Sequence, residues 1–309
     1  MNECRELSDI IPSITLSGSS AKVELWSLFQ AHEIPQCRVA VESAQDVGTA
    51  ISTANRYGCR FSVLAGGTSA FRGASNSHGG ITIDLRRLKN LAIVDADELL
   101  LSVGAGNVWA DVYRFLDPLG ASAVGTRNSL TGVTGSILGG GISFFSRKYG
   151  WSCDMVLEME VVLANSTVVM ASRTHNSDLF WALRGGGNNF GVVTNVIIQT
   201  FRNPPQWYIF QVWETADQKA VFERLEAITA NMPEQIWQIA ITLEWHIPTQ
   251  RFVLTERRVA SDDMLTVSSS DVVSSGMNDL ADSLALHSYS YNRSILAMSQ
   301  KMDRLNPGG

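Results

Sequence analysis

The chain has 309 residues, 45% of them apolar and 17% charged. That is enough for one large domain or two ordinary ones with a packed core, and too apolar for global disorder. With 24 Lys and Arg against 30 Asp and Glu the net charge is −6. No basic block is present, which excludes a grip on nucleic acid through phosphate neutralisation. No run approaches the roughly 18 apolar residues of a membrane span.

Residues 1–20 carry Glu3, Glu6 and Asp9 and lack the apolar core of a signal peptide, a composition that favours a cytoplasmic location. Cys4, Cys37, Cys59 and Cys153 are too few for a disulfide scaffold and contain no C-x-x-C pair. Each reads first as a small buried apolar side chain. A Cys4–Cys37 or Cys37–Cys59 bridge is the alternative, and it requires an oxidising compartment. N-x-[ST] sequons begin at Asn165 and Asn292, and such triplets fit either compartment.

Apolar periodicity predicts a short amphipathic helix over 22–32, then a strand at 38–42, a helix over 43–58 and strands at 61–66 and 81–85. Ser43 with Asp46 in the first turn is an N-cap signal, and Gly58 ends the helix. A hairpin follows over 91–106, turning at Asp95–Glu98, and then a helix over 107–120 with Asn107 as cap. Residues 125–150 hold seven glycines and read as a loop. Strands are expected at 156–164 and 167–171, a helix with Ser177 as cap over 176–185, and a β-branched strand at 191–201.

Beyond Pro204-Pro205 the pattern changes to strands at 207–214, 236–245 and 251–258 with a helix over 217–232. This places a boundary near 204, with one domain over 33–204 and a second over 205–309. No internal repeat is visible.

Two glycine-rich loops carry the chemical signal. Gly66-Gly67-Thr68-Ser69 follows a strand directly, and Gly132-Val-Thr-Gly135-Ser-Ile-Leu-Gly139-Gly140-Gly141 adds only small or apolar side chains. Glycine admits positive φ and close approach of a ligand, and successive free N–H groups form a nest for an anion such as a pyrophosphate. The pair suggests a dinucleotide held by backbone rather than by Lys or Arg. No P-loop is present. The near-Rossmann Gly104-Ala-Gly106 has Trp109 where the third glycine belongs. The G-x-S triplets lack the closing glycine of a nucleophile elbow, and the five histidines are scattered without metal-ligand spacing.

The runs A-G-G-T-S (65–69), G-G-I-T-I-D-L-R-R-L (79–88), T-G-V-T-G-S-I-L-G-G-G-I-S-F-F-S-R-K-Y-G-W-S-C-D (131–154) and D-L-F-W-A-L-R-G-G-G-N-N-F-G-V-V-T (178–194) follow one another in a recognisable order. Over about residues 35–203 the chain resembles the flavin-binding half of the vanillyl-alcohol-oxidase/p-cresol-methylhydroxylase superfamily. It is most similar to the fungal berberine-bridge-enzyme-like FAD-linked oxidoreductases.

The resemblance implies an α+β fold, with a two-subdomain FAD-binding domain followed by an incomplete antiparallel-sheet substrate domain. It implies that Gly66, Gly67, Thr68 and Ser69 cradle the pyrophosphate of FAD. Gly132, Gly135, Gly139, Gly140 and Gly141 would run along the phosphates and isoalloxazine, and Val192 and Val193 would offer backbone contacts near the adenine or ribityl side. Asp84, Tyr149, Asn188 and Asn189 would be framework residues.

Covalently flavinylated relatives carry His after the paired glycines and Cys at a second attachment point. Here those places hold Thr68 and a residue at or beside Asn128, and His78 lies ten residues too late. The expectation is non-covalent FAD.

The implied reaction takes a hydride from a small organic substrate to the flavin, with O2 as acceptor, in secondary metabolism. The catalytic base is unassigned, with Glu244 and His246 as candidates. Relatives extend past the point where this sequence stops, and Ser268 to Ala285 resembles only the middle of their substrate domain. The alternatives to an enzyme are therefore a truncated, non-catalytic FAD-binding remnant and a binding protein that lost turnover.

Overall fold

The computed structural model describes residues 2–11, 15–203, 206–214, 218–230, 232, 234, 236–246, 250–261, 285–292 and 295–305. They form two compact units, the first made of Met1–Ser143, Tyr149–Arg202 and Ser299–Gly309, the second of Phe144–Lys148 and Asn203–Met298.

The first unit opens with helix α1 (Asn2–Ile10), strand β1 (Thr15–Ser17) and the single turn α2 (Leu28–Ala31). Strand β2 (Cys37–Ala40), helix α3 (Ala44–Tyr57) and strands β3 (Phe61–Leu64) and β4 (Ile81–Asp84) follow. The strands lie in the order β1-β2-β4-β3, parallel except for β1. Helix α3 starts where the sequence says it should. Ser43 Oγ accepts from Asp46 N at 3.1 Å and the Asp46 carboxylate accepts from Ser43 N at 3.0 Å, a reciprocal capping box. Gly58 closes it in the left-handed conformation, φ 62°. Val47, Ala50, Ile51 and Ala54 of α3 pack on Val39, Val41, Ile81 and Ile83 to form one core.

The helix expected over 22–32 shrinks to the four residues of α2. Ahead of it Ala21, Val23 and Ser27 are buried and Lys22, Glu24 and Trp26 exposed, which is the alternation of extended chain. Leu25 is turned inward against Gly67, where an added Cβ would stand 2.9 Å from Leu25 Cδ2. Helix α1 lay outside the sequence expectation. It is tied to β2 by a Cys4–Cys37 disulfide, so the bridge, not the buried thiol, holds for those two cysteines, while Cys59 and Cys153 are free.

The same unit continues through β5 (Leu91–Asp95), β6 (Leu100–Gly104), α4 (Trp109–Leu116), β7 (Ala121–Ala123), α5 (Val133–Leu138) and α6 (Ser146–Tyr149), the last ending in the unit at Tyr149. Then come β8 (Val156–Val162), β9 (Val168–Ser172), α7 (Ser177–Leu183) and β10 (Val192–Arg202). The antiparallel sheet runs β5-β6-β10-β8-β9, with β7 also paired to β10. Leu101, Val103, Met159, Val161, Val196 and Ile198 are buried. The turn at Asp95–Glu98 is closed by Glu98 N donating to Asp95 Oδ1 at 2.8 Å. Asn176, not Ser177, occupies the N-cap of α7. The glycine-dense stretch 125–150 is not all loop, because it contains α5 and α6.

The second unit holds β11 (Gln206–Glu214), α8 (Gln218–Ala230), β12 (Ile236–His246), β13 (Arg251–Ser261), β14 (Ala285–Asn292) and the start of α9 (Ile295–Leu305). Its strands form an antiparallel sheet in the order β12-β13-β11-β14. Residues 144–148 belong here. The Phe145 ring lies 5.1 Å from Trp237, and Arg147 donates to the carbonyls of Ile236 and Met232, both at 2.7 Å. The architecture is thus α+β, with two sheets in the first unit and an antiparallel sheet in the second. The Ser268 to Ala285 expectation falls, but for Ala285 itself, outside the described residues.

Candidate functional site

The two glycine loops meet backbone to backbone. A Cβ added to Gly66 would lie 2.4 Å from Gly132 N and 2.5 Å from its Cα, and one added to Gly132 would lie 2.7 Å from Gly66 N. No side chain fits between them. The first loop leaves β3 at Leu64, which is registered beside Asp84 of β4. That carboxylate is buried and fixed by Arg38 Nη1 at 2.7 Å and Arg86 Nη2 at 2.7 Å. Burial alone would raise its pKa, but the Arg86 hydrogen bonds and charge, with Arg38, hold it below the ordinary value. Asp84 is therefore a framework residue of the loop's root.

The second loop is laid against α4. Trp109 N donates to Thr131 O at 3.0 Å, Ala110 N to Ser129 O at 2.8 Å and Val133 N to Asn107 O at 3.0 Å. The buried Trp109 indole donates to Ser136 Oγ at 2.8 Å, and Ser136 Oγ in turn reaches Gly132 O at 2.9 Å. Tyr113 stacks on Trp109 and its hydroxyl donates to Thr126 O at 2.9 Å. This Trp109–Tyr113–Ser136 brace was missed from sequence. Its one signal was the tryptophan that breaks the Rossmann pattern. Gly104 and Gly106 have a packing reason instead, since Cβ atoms there would lie 2.4 Å from Leu88 O and Leu85 O.

The remaining glycines divide into two groups. Gly140 (φ 98°) and Gly141 (φ 77°) lie under Trp151 and Ser152, and their carbonyls accept from Cys153 N and Ser152 N, each at 2.9 Å. The chain's own packing accounts for them. Gly135 on α5 and Gly139 at its C-cap, one turn apart and both exposed, meet nothing beyond the helix's own carbonyls within 4 Å. Among the described residues, the backbone N–H groups of Gly66, Gly67, Thr68, Ser69, Thr134 and Gly135 have no protein acceptor. A bare helix face beside uncommitted donors fits a phosphate-bearing, flat ligand such as FAD.

Val192 and Val193 are buried on β10, in register with Val162 and Val161, while β6 joins only from Asn195. Their backbone therefore has a strand partner on one side. Tyr149 stacks on Phe201 with ring centroids 4.4 Å apart. Asn189 Nδ2 donates to Gly186 O at 2.8 Å, and Asn188 is exposed. Of the residues expected at or beside the two attachment places, Thr68 is half-buried and Asn128 spends its side-chain oxygen on Leu130 N at 3.0 Å. His78 is exposed, with its ring 3.8 Å from Glu33. Burial pushes the free Cys153 thiol pKa up. In the second unit, Glu244 accepts from Arg257 Nη2 at 2.6 Å and Thr255 Oγ1 at 3.1 Å; nothing is described of the His246 side chain.

Among the described residues no group of three or more His, Cys, Asp or Glu could hold a metal ion, and no helix is long and apolar enough to cross a membrane.

Gly135→Ala separates packing from ligand contact. The added methyl meets no protein atom, and alanine is favoured over glycine in a helix by about 1 kcal/mol. The variant is expected to melt at or above the parent temperature without FAD, yet to bind FAD more weakly in a fluorescence titration.

Residues 35–172 match the FAD binding domain family. The chain is 46% identical over 197 residues to the FAD-dependent monooxygenase tpcD of Cochliobolus heterostrophus, covering 64% of this chain and 38% of the relative. It is 41% identical, with the same coverage, to the FAD-dependent monooxygenase FUP4 of Fusarium proliferatum. The chain thus spans 38% of the length of these curated relatives. The fold is similar to that of the berberine-bridge-enzyme-like protein 1 of Physcomitrella patens, with TM-score 0.82, 20% identity and coverage of 98% of this chain and 67% of that one. For 6-hydroxy-D-nicotine oxidase of Arthrobacter nicotinovorans the TM-score is 0.79 at 24% identity, covering 93% and 63%. A glucooligosaccharide oxidase of Acremonium strictum, described with a 6-S-cysteinyl, 8α-N1-histidyl FAD, gives 0.71 at 22% identity, covering 87% and 55%. Residues 35–172 thus carry the match to the FAD binding domain family, and the fold is similar to that of the berberine-bridge-enzyme-like protein and the flavin-linked oxidases named here.

Proposed function

We propose that the chain holds FAD without a covalent link and serves as an FAD-linked oxidoreductase acting on a small organic substrate, with O2 as electron acceptor, in secondary metabolism. The observation that carries the cofactor reading is the row of uncommitted N–H groups from Gly66 to Ser69, placed beside the side-chain-free face of α5 at Gly135 and Gly139. The N–H row takes the pyrophosphate charge, and the glycine face lets a flat ring system lie against backbone. Gly132 sets the spacing of the two loops, Gly140 and Gly141 fix the turn that follows, and the backbone of Val192 and Val193 offers contacts farther along the ligand. Thr68 has no imidazole and Asn128 no thiol, so neither offers the nucleophile of a covalent flavin bond.

When bound, FAD supplies the hydride acceptor. The chain's part is to bind, orient and shield it. The names of the fungal relatives support oxygen as the second substrate. Glu244 is engaged by Arg257 and Thr255, so it serves as a base only if a substrate displaces one of them.

The test is a titration of the purified chain with FAD, followed by anaerobic addition of small phenols, alcohols and polyols. Stoichiometric quenching of flavin fluorescence, then bleaching by one substrate class and recovery in air, is the expected result. A chain that binds FAD but is bleached by none of them is a binding protein, and one that binds none is a remnant.

A further inference from the structure

We propose that Asn165 is an N-glycosylation site and that the chain matures in an oxidising, secretory compartment. Two independent features point there. The first is the sequon Asn165-Ser166-Thr167 at the turn between β8 and β9. Asn165 and Thr167 are exposed. The turn is rigid: Asn165 Oδ1 accepts from Thr167 N at 3.0 Å, Leu163 N donates to Thr167 O at 2.9 Å, and Asn55 Nδ2 clamps Ala164 O at 2.8 Å. The acceptor nitrogen, Asn165 Nδ2, bonds to no protein atom among the described residues. The second is the Cys4–Cys37 disulfide, both of whose cysteines are buried. Such bonds form and persist where the compartment is oxidising, which is also where N-linked glycans are added.

A glycan is attached before the chain finishes folding, so the fold must leave room for it. Beside Ser166 lies an open groove of about 350 Å³ lined by Gln45, Thr49, Ser52 and Arg56 from α3, with Ile10 at the end of α1. Its hydroxyl, amide and guanidinium groups suit the hydroxyls and acetamido group of the first sugar, and Ile10 suits the acetamido methyl. Asn292, the other sequon, stands in register opposite Trp207 in the ladder of β14 with β11. The exposed turn is therefore the site assigned.

In the transfer, the bond between sugar C1 and the diphosphate oxygen of a lipid-linked oligosaccharide donor breaks. A C1–Nδ2 bond forms on Asn165, one Nδ2 proton leaves, and the lipid diphosphate departs with the bonding pair. The reading opposes the cytoplasmic location that the composition of residues 1–20 favoured.

The test is peptide mapping of the full chain recovered from the cells that make it, alkylated without reduction. Digestion with peptide-N-glycosidase in heavy-oxygen water is expected to leave labelled aspartate at position 165, with the Cys4 and Cys37 peptides still linked. Unlabelled Asn165 overturns the proposal, whatever the state of Asn292. Thr167→Ala keeps Asn165 and removes the sequon hydroxyl. It is expected to abolish both the label and the glycosidase-dependent mobility shift, and persistence of the shift would place the glycan elsewhere.

Discussion

Replacing Gly66 or Gly132 with alanine is expected to weaken flavin binding about a hundredfold and to cost about 1–3 kcal/mol of stability, the range for forcing extra methyls into closed packing. In both cases the new Cβ meets backbone atoms of the opposite loop inside 3.0 Å, and backbone cannot swing aside as a long side chain can. The loops must separate. Asn107, Val108 and Trp109 hold the second loop by backbone bonds, so the displacement falls on the first, where the free N–H groups are. A loss of about 2.8 kcal/mol in FAD binding would be a hundredfold rise in Kd. Flavin titration and a thermal melt of each variant, beside Gly135→Ala, check this. Wild-type affinity in Gly66→Ala would mean that the close approach of the loops has no part in holding the cofactor.

The second large effect belongs to Asp84. Asp84→Asn keeps the shape and removes the charge that Arg38 and Arg86 share. Breaking one side of a buried ion pair costs about 3–5 kcal/mol. Arg86 is 40% exposed at its side chain and solvates readily, so the lower end, about 3 kcal/mol, is expected. That corresponds to a fall of about 6–12 °C in Tm. The same carboxylate sets an acid limit. Its pKa is lower folded than unfolded, so its contribution is fully present above the unfolded value near 3.9. The contribution is lost as pH falls through the folded value. Thermal melts from pH 7 downwards should show wild type losing stability below about pH 4 while Asp84→Asn, already deprived of the pair, changes less. Because β3 leaves this point toward Gly66, the variant's flavin affinity should fall with its stability.

Sequence carried the fold where local chemistry and tertiary packing agree. Ser43, Asp46 and Gly58 mark both ends of α3, and structure and sequence place them alike. The run 22–32 misled because Val23, Leu25, Trp26, Leu28 and Phe29 have helical spacing in composition, while burial follows the alternation of an extended segment. Leu28 and Phe29 are in fact exposed. Helix α1 was overlooked because its hold on the unit rests on a disulfide to a residue 33 positions away, which no local pattern encodes. At the site, the first glycine run was legible as a loop, whereas the second, read as a loop, folds mostly into α5; the fungal flavoprotein resemblance was legible as a resemblance. What could not be read was the division of labour among the glycines. Gly140 and Gly141 are accounted for by Trp151 and Ser152, Gly66 and Gly132 by each other, and only Gly135 and Gly139 by nothing in the chain.

The visible spectrum of the purified chain, incubated with FAD, desalted and then precipitated with acid, tests the central claim most directly. Flavin bands that survive desalting and pass wholly into the acid supernatant are the predicted result, since neither His nor Cys stands at the two proposed attachment places, Thr68 and the residue at or beside Asn128. Flavin retained in the pellet, or a chain that stays colourless after incubation, would contradict it.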